Sequence, residues 1–83
     1  MEIAWTPRAK RALQRLPEKV PSAVVEFAYG PLAHNPRRVG KPLRLEMDGI
    51  YSARRGDFRT PYRVSDVVTI VVIDHRADIY RPG

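Results

Sequence analysis

Arg54 and Arg59 stand on either side of Gly56-Asp57, and His75, Arg76 and Tyr80 follow near the end of the 83 residues. These are the side chains in this sequence best suited to chemistry. A Gly-rich phosphate loop, a His-x-x-x-His pair, a Ser-His-Asp set and paired carboxylates at helical spacing are all lacking. Two histidines forty-one residues apart make a poor metal site, and zero cysteines exclude disulfides, thiolate ligands and thiol nucleophiles. Cleavage of an RNA strand can be run on arginine, tyrosine and one histidine. There the substrate's own 2′-hydroxyl attacks the adjacent phosphorus, so the protein supplies no nucleophile. Its tasks are to hold the reacting atoms in line, neutralise the phosphorane and help protons move. Guanidinium groups stay charged and offer fork-shaped donors; each well-placed donor of this kind is worth about 3–4 kcal/mol, or ~10²–10³ in rate.

Each candidate also has a plainer reading. Residues near the turn of a short hairpin lie about 5–8 Å apart across the strands, close enough for Arg54 and Arg59 to share one phosphate. They could equally be outward residues paired with Asp57 and Asp66. Tyr80 stacks on a base or holds a proton near the 2′-hydroxyl, or else it plugs the core. Histidine ordinarily titrates where proton transfer is useful, but His75 could be a solvated residue after a strand. Arg76 binds phosphate or pairs with Asp74 or Asp78. Trp5 reads as a core residue rather than a stacking platform, and His34 is given no role.

Charge favours the polyanion reading. Fifteen basic and nine acidic residues leave +6, and twelve of the fifteen are arginine. Lysine would serve solubility as well; arginine is preferred where phosphate is gripped in bidentate fashion or a base is stacked upon. Residues 37–63 hold eight of the basic residues and three acids, which is +5 of the total. Nucleic acid is the first partner class implied and an acidic protein the second, against a basic face kept only for solubility.

The elements that must position these residues follow from pattern. At about 100–150 residues per domain, the length allows one domain over residues 1–83. The 43% hydrophobic and 29% charged content argues against disorder. The longest apolar run, Val67 to Ile73, is far short of the ~20 residues that span a membrane; no secretory leader is expected, and cytoplasmic location is. Ile3 and Trp5 alternate in a strand over Glu2–Thr6. Thr6-Pro7 reads as an N-cap followed by proline at the first helical position. Ala9, Ala12, Leu13 and Leu16 form one apolar stripe, and Pro17 ends that helix. A second helix is predicted from near Glu18 to about Tyr29, stopped by Gly30-Pro31, with a loop over residues 34–43. Strands follow at Ile50–Arg55, Phe58–Val64 and Val67–Ile73, joined as an antiparallel meander by turns at Gly56-Asp57 and Ser65-Asp66. Val67–Ile73, apolar on both faces, belongs inside the sheet, and Pro61 at an edge or bulge. The order β-α-α-β-β-β with a short tail makes an α+β fold, a small antiparallel β-sheet covered on one side by an N-terminal helical hairpin.

Four segments occur in order along nearly the whole chain: Leu13-Gln14-Arg15-Leu16-Pro17, Gly40-Lys41-Pro42-Leu43-Arg44, Tyr51-Ser52-Ala53-Arg54-Arg55-Gly56-Asp57-Phe58-Arg59, and Asp74-His75-Arg76-Ala77-Asp78-Ile79-Tyr80-Arg81. Jointly they resemble the RelE/ParE superfamily of toxins from bacterial toxin–antitoxin modules, the RelE branch in particular. The resemblance implies a ribosome-dependent, metal-independent mRNA endoribonuclease that needs no cofactor and arrests translation. It also implies a RelB-like antitoxin that wraps the toxin and covers or distorts its site. Carried onto this sequence, it makes Arg54, Arg59, Arg76 and Tyr80 catalytic; Lys41, Arg44, Arg55 and His75, basic side chains around them, are expected to bind RNA. Ser52 stands where some members carry a second basic residue, and Pro61 where an aliphatic one is usual. A ribosome that holds the message kinked would supply the orientation that a site without a good general base lacks, worth up to about 7–11 kcal/mol. Two other readings are a non-enzymatic, ParE-like poison of DNA gyrase on the same scaffold and a degenerate toxin that only binds its antitoxin.

Overall fold

Thr6 starts the first helix as its sequence predicts: its hydroxyl accepts from the backbone N–H of Ala9 at 3.0 Å and donates to the Val71 carbonyl at 2.5 Å. This computed structural model describes residues 1–43 and 49–75. Strand β1 (Ile3–Trp5) leads into helix α1 (Pro7–Arg15), and α2 (Val20–Phe27) folds back against it. Ala9, Leu16, Val24 and Phe27 are buried between this hairpin and the sheet. The indole N–H of Trp5, half-buried, donates to the Tyr29 hydroxyl at 2.9 Å.

Gly30-Pro31 does not stop the second helix. The chain continues as a π-helical turn over Ala28–Leu32, with Pro31 inside it. Proline in a regular α-helix clashes with the carbonyl four residues back and forfeits a hydrogen bond; the wider π turn relieves both. Burial of Ala28 and Leu32 holds the widened turn against the core. The expected loop over residues 34–43 likewise contains structure, a short helix α3 (Pro36–Val39) and a two-residue strand β2 (Lys41–Pro42).

The sheet runs in the order β1-β5-β4-β3-β2, with β3 (Ile50–Arg55), β4 (Phe58–Val64), β5 (Val68–Ile70) and β6 (Asp74–His75) beside β4. The meander β3-β4-β5 is antiparallel as expected, while β1 joins β5 in parallel, Ile3 opposite Val68. The predicted strand Val67–Ile73 is divided into β5 and the approach to β6. Two β4 residues, Thr60 and Pro61, lie between the Tyr62–Ile70 and Arg59–Asp74 pairs, against three on the other side, Val71 to Ile73. That mismatch is a bulge. The Pro61 carbonyl accepts from the Val71 N–H at 3.0 Å, so its missing donor faces the irregular side, where the sequence placed it.

Two faces result. Ile3, Tyr62, Val64, Val68, Ile70, Ala53 and Phe58 share the face covered by the helices and are buried. Phe27 meets Phe58 edge-on at 6.2 Å. Arg54, Arg59 and Arg63 alternate with these residues and are exposed on the opposite face.

Candidate functional site

Gly56 takes φ 56°, the left-handed region that favours glycine. With Asp57 it makes a two-residue turn that fixes the register of β3 on β4. Arg55 then pairs with Phe58, and Arg54 lies directly opposite Arg59. Directly opposed side chains have Cβ atoms about 4.5–5.5 Å apart and project on the same side. Like charges in that position are destabilising, and an anion bridging both guanidinium groups offsets the repulsion.

The same open face carries more charge. Lys41 of β2 is opposite Ser52, which places it diagonally beside Arg54, about 7–8 Å away. Arg63 lies four residues along β4 from Arg59, about 13 Å at the rise of an extended strand. On its other flank Arg59 is paired with Asp74. Asp74, half-buried, also lines a concavity of about 560 Å³ with Arg8, Arg11 and Arg15 of α1. Basic residues thus stand on the open face of the hairpin and along α1, with a single carboxylate, Asp74, among the described strand pairs.

A latch behind the sheet positions Lys41. The Tyr62 hydroxyl, fully buried, donates to the Pro36 carbonyl at 2.5 Å, and the Tyr62 ring stacks on Tyr51 at 5.7 Å. Gly40 passes so close to this ring that a Cβ there would collide with the hydroxyl and with the Ser52 carbonyl. Burial, with a further push from Tyr51 and against a hydrogen bond from the Gly40 backbone, raises the Tyr62 phenol to about 12.

Of the expected site residues, the structure brings together Arg54, Arg59 and Lys41. It places Arg55 and His75 elsewhere. Arg55 shares the helix-covered face with Phe58, and its guanidinium lies 5.2 Å from the centre of the Phe27 ring. His75, opposite Phe58, is buried on that same side. Both line a smaller concavity of about 310 Å³ beside Ala23 of α2 and Lys19, which precedes that helix. Parity is the reason: Arg55 is two residues from buried Ala53, and His75 one from Asp74. Arg44, Arg76 and Tyr80 lie outside the described residues. Sequence reasoning missed Arg63 and Asp74 as site residues, although Arg63 has the same strand parity as Arg59.

Known proteins share this sequence and fold. The family described as the ParE toxin of type II toxin–antitoxin systems matches residues 3–80. Toxin RelG of Mycobacterium tuberculosis is 55% identical over 82 residues, covering 95% of this chain and 94% of its own. Toxin RelE of the same organism is 51% identical, covering 95% and 84%. Among solved structures, the toxin–antitoxin complex RelBE2 of M. tuberculosis matches with a TM-score of 0.83 and 49% identity, over 90% of this chain and 96% of that one. The isolated RelE toxin of E. coli, with a TM-score of 0.75 at 20% identity over 95% and 89%, shares the fold.

Proposed function

The chain belongs to the ParE toxin family of type II toxin–antitoxin systems, and from that membership we propose that this toxin is a ribosome-dependent mRNA endoribonuclease that inhibits translation. The observation that carries the reading is the Arg54–Arg59 pair, two cations set side by side on an open sheet face. A scissile phosphate seated between them receives donors from both strands. As the 2′-oxygen attacks, the equatorial oxygens gain charge and the fixed guanidinium groups bind them more tightly than in the ground state. The reaction needs no metal, because arginine supplies the positive charge. Lys41 and Arg63 extend the cationic track to flanking phosphates, and Arg76 and Tyr80 complete the catalytic set in this reading.

The partners follow from the same surface. M. tuberculosis RelBE2 and E. coli RelBE are both toxin–antitoxin complexes, and a RelB-like antitoxin with acidic and apolar residues suits this basic face. No described helix is long and apolar enough to cross a membrane, and the site of action is the cytoplasm, where messages are translated.

The test is to map 5′ ends on a translated message with and without the protein, and with Arg59→Ala. The parent should produce new ends within codons being decoded, and the variant should lose 10²–10³ in rate while still binding antitoxin. An intact message accompanied by damaged DNA would point instead to a gyrase poison. Undiminished cleavage by Arg59→Ala would place the site elsewhere.

A further inference from the structure

The open face offers many cations but few groups able to take a proton. Attack by a 2′-hydroxyl requires an acceptor, and arginine, always protonated, cannot serve. Asp74 is the one carboxylate in the described strand pairs, and it lies directly opposite Arg59. Arg59 is thus flanked by Arg54 on one side and by Asp74 on the other, all three on the same face. Asp74 is half-buried, and no described residue forms an ion pair or hydrogen bond with its side chain. It also lines the arginine-walled concavity.

We propose that Asp74 is the proton acceptor for the 2′-hydroxyl of the scissile nucleotide. The proposal rests on the nuclease reading and assigns it a proton acceptor. A phosphate held between Arg54 and Arg59 has its ribose within reach of the next side chain across the sheet. The proton of the 2′-hydroxyl moves to a carboxylate oxygen of Asp74 as the 2′-oxygen–phosphorus bond forms. The bond from phosphorus to the 5′-oxygen breaks, its electron pair goes to that oxygen, and water supplies the proton. The products are a 2′,3′-cyclic phosphate and a 5′-hydroxyl, with no oxidant or co-reactant consumed. The charged groups around Asp74 are Arg59 of β4 opposite it, with Arg54 beyond on β3, and Arg8, Arg11 and Arg15 of α1, which line the same concavity. His75 is its neighbour in sequence but lies on the covered side. The arginines offset the repulsion between a carboxylate and the phosphate it must approach.

The test uses the full chain in excess over ribosomes programmed with a message that has one defined codon in the decoding site. Cleavage is followed in a single turnover from pH 6 to 8. With Asp74 in place to take the proton, the parent rate should be nearly flat over that range. In Asp74→Asn the proton must go to solvent hydroxide: the rate should fall at least a hundredfold at pH 7 and rise about tenfold per pH unit. Asp74→Glu should restore the flat profile to within about tenfold of the parent rate. Asp74→Ser repeats the measurement should the amide variant not fold, as judged by antitoxin binding. An Asn or Ser variant slowed equally at every pH, or not slowed, overturns the proposal and leaves the nuclease reading in place. If the parent itself leaves the message intact, the nuclease reading falls and the proposal with it.

Discussion

Replacing Tyr62 by phenylalanine removes one oxygen and isolates the latch behind Lys41. The hydroxyl is fully buried and donates to the Pro36 carbonyl, so the variant leaves a carbonyl without its partner. A buried polar group deprived of its hydrogen bond costs about 1–3 kcal/mol, and each kcal/mol moves Tm by about 4–8 °C in a domain of this size. The pH dependence gives a sharper test. The Tyr62 phenol titrates at about 12 in the fold against 10.0 in an unstructured chain. Its folded value is raised, so its stabilising contribution is complete below pH 10 and declines as pH climbs toward 12. At pH 11 the unfolded chain has largely released this proton while the folded protein retains it, a loss of about 1.4 kcal/mol to the parent. Phenylalanine cannot lose a proton. The stability gap between the two proteins, measured by urea unfolding, should therefore narrow by about that amount between pH 8 and pH 11. A gap that stays constant, or a variant as stable as the parent at pH 8, would refute the latch.

Thr60 is 1% exposed and its hydroxyl has no hydrogen-bond partner among the described residues; Thr60→Val, which keeps the shape, should stabilise the fold by about 1 kcal/mol in thermal unfolding. Arg55→Ala removes a cation from above the Phe27 ring and should cost about 0.5–1 kcal/mol of stability while cleaving message at the parent rate; a cleavage defect would return Arg55 to the RNA-binding set. Thr6→Ala uncaps α1 and should cost about 1 kcal/mol, read as a fall in the urea midpoint without a change in slope.

Local chemistry made much of this fold readable. Thr6-Pro7 announces α1, and the apolar spacing after it marks the face that is buried. Gly56-Asp57 announces the hairpin, and with it the meeting of Arg54 and Arg59. What escaped was decided by tertiary packing. Gly30-Pro31 would end an isolated helix, but burial of Ala28 and Leu32 outweighs the proline and widens the turn instead. The parallel pairing of β1 joins segments too distant in sequence to leave a local signal. Arg55 and His75 were drawn to the site by type alone. Alternation along β3, with Ala53 on the helix-covered side, would have set Arg55 on that side as well, since a one-residue step reverses the face. Asp74 was read only as a partner for Arg76, because its alignment with Arg59 depends on a bulge opposite Pro61 that the sequence hints at without locating.

The pairing of Ile3 with Val68 means that the first strand has no partner until the last part of the chain exists. At about 5–20 residues per second, the nascent N-terminus waits several seconds for β5, and Asp74, the flank of Arg59, is made after β5. A truncated product that stops before Val68 lacks the partner for β1 and the flank of Arg59 together. An abortive round of synthesis would thus leave a fragment whose first strand stays unpaired.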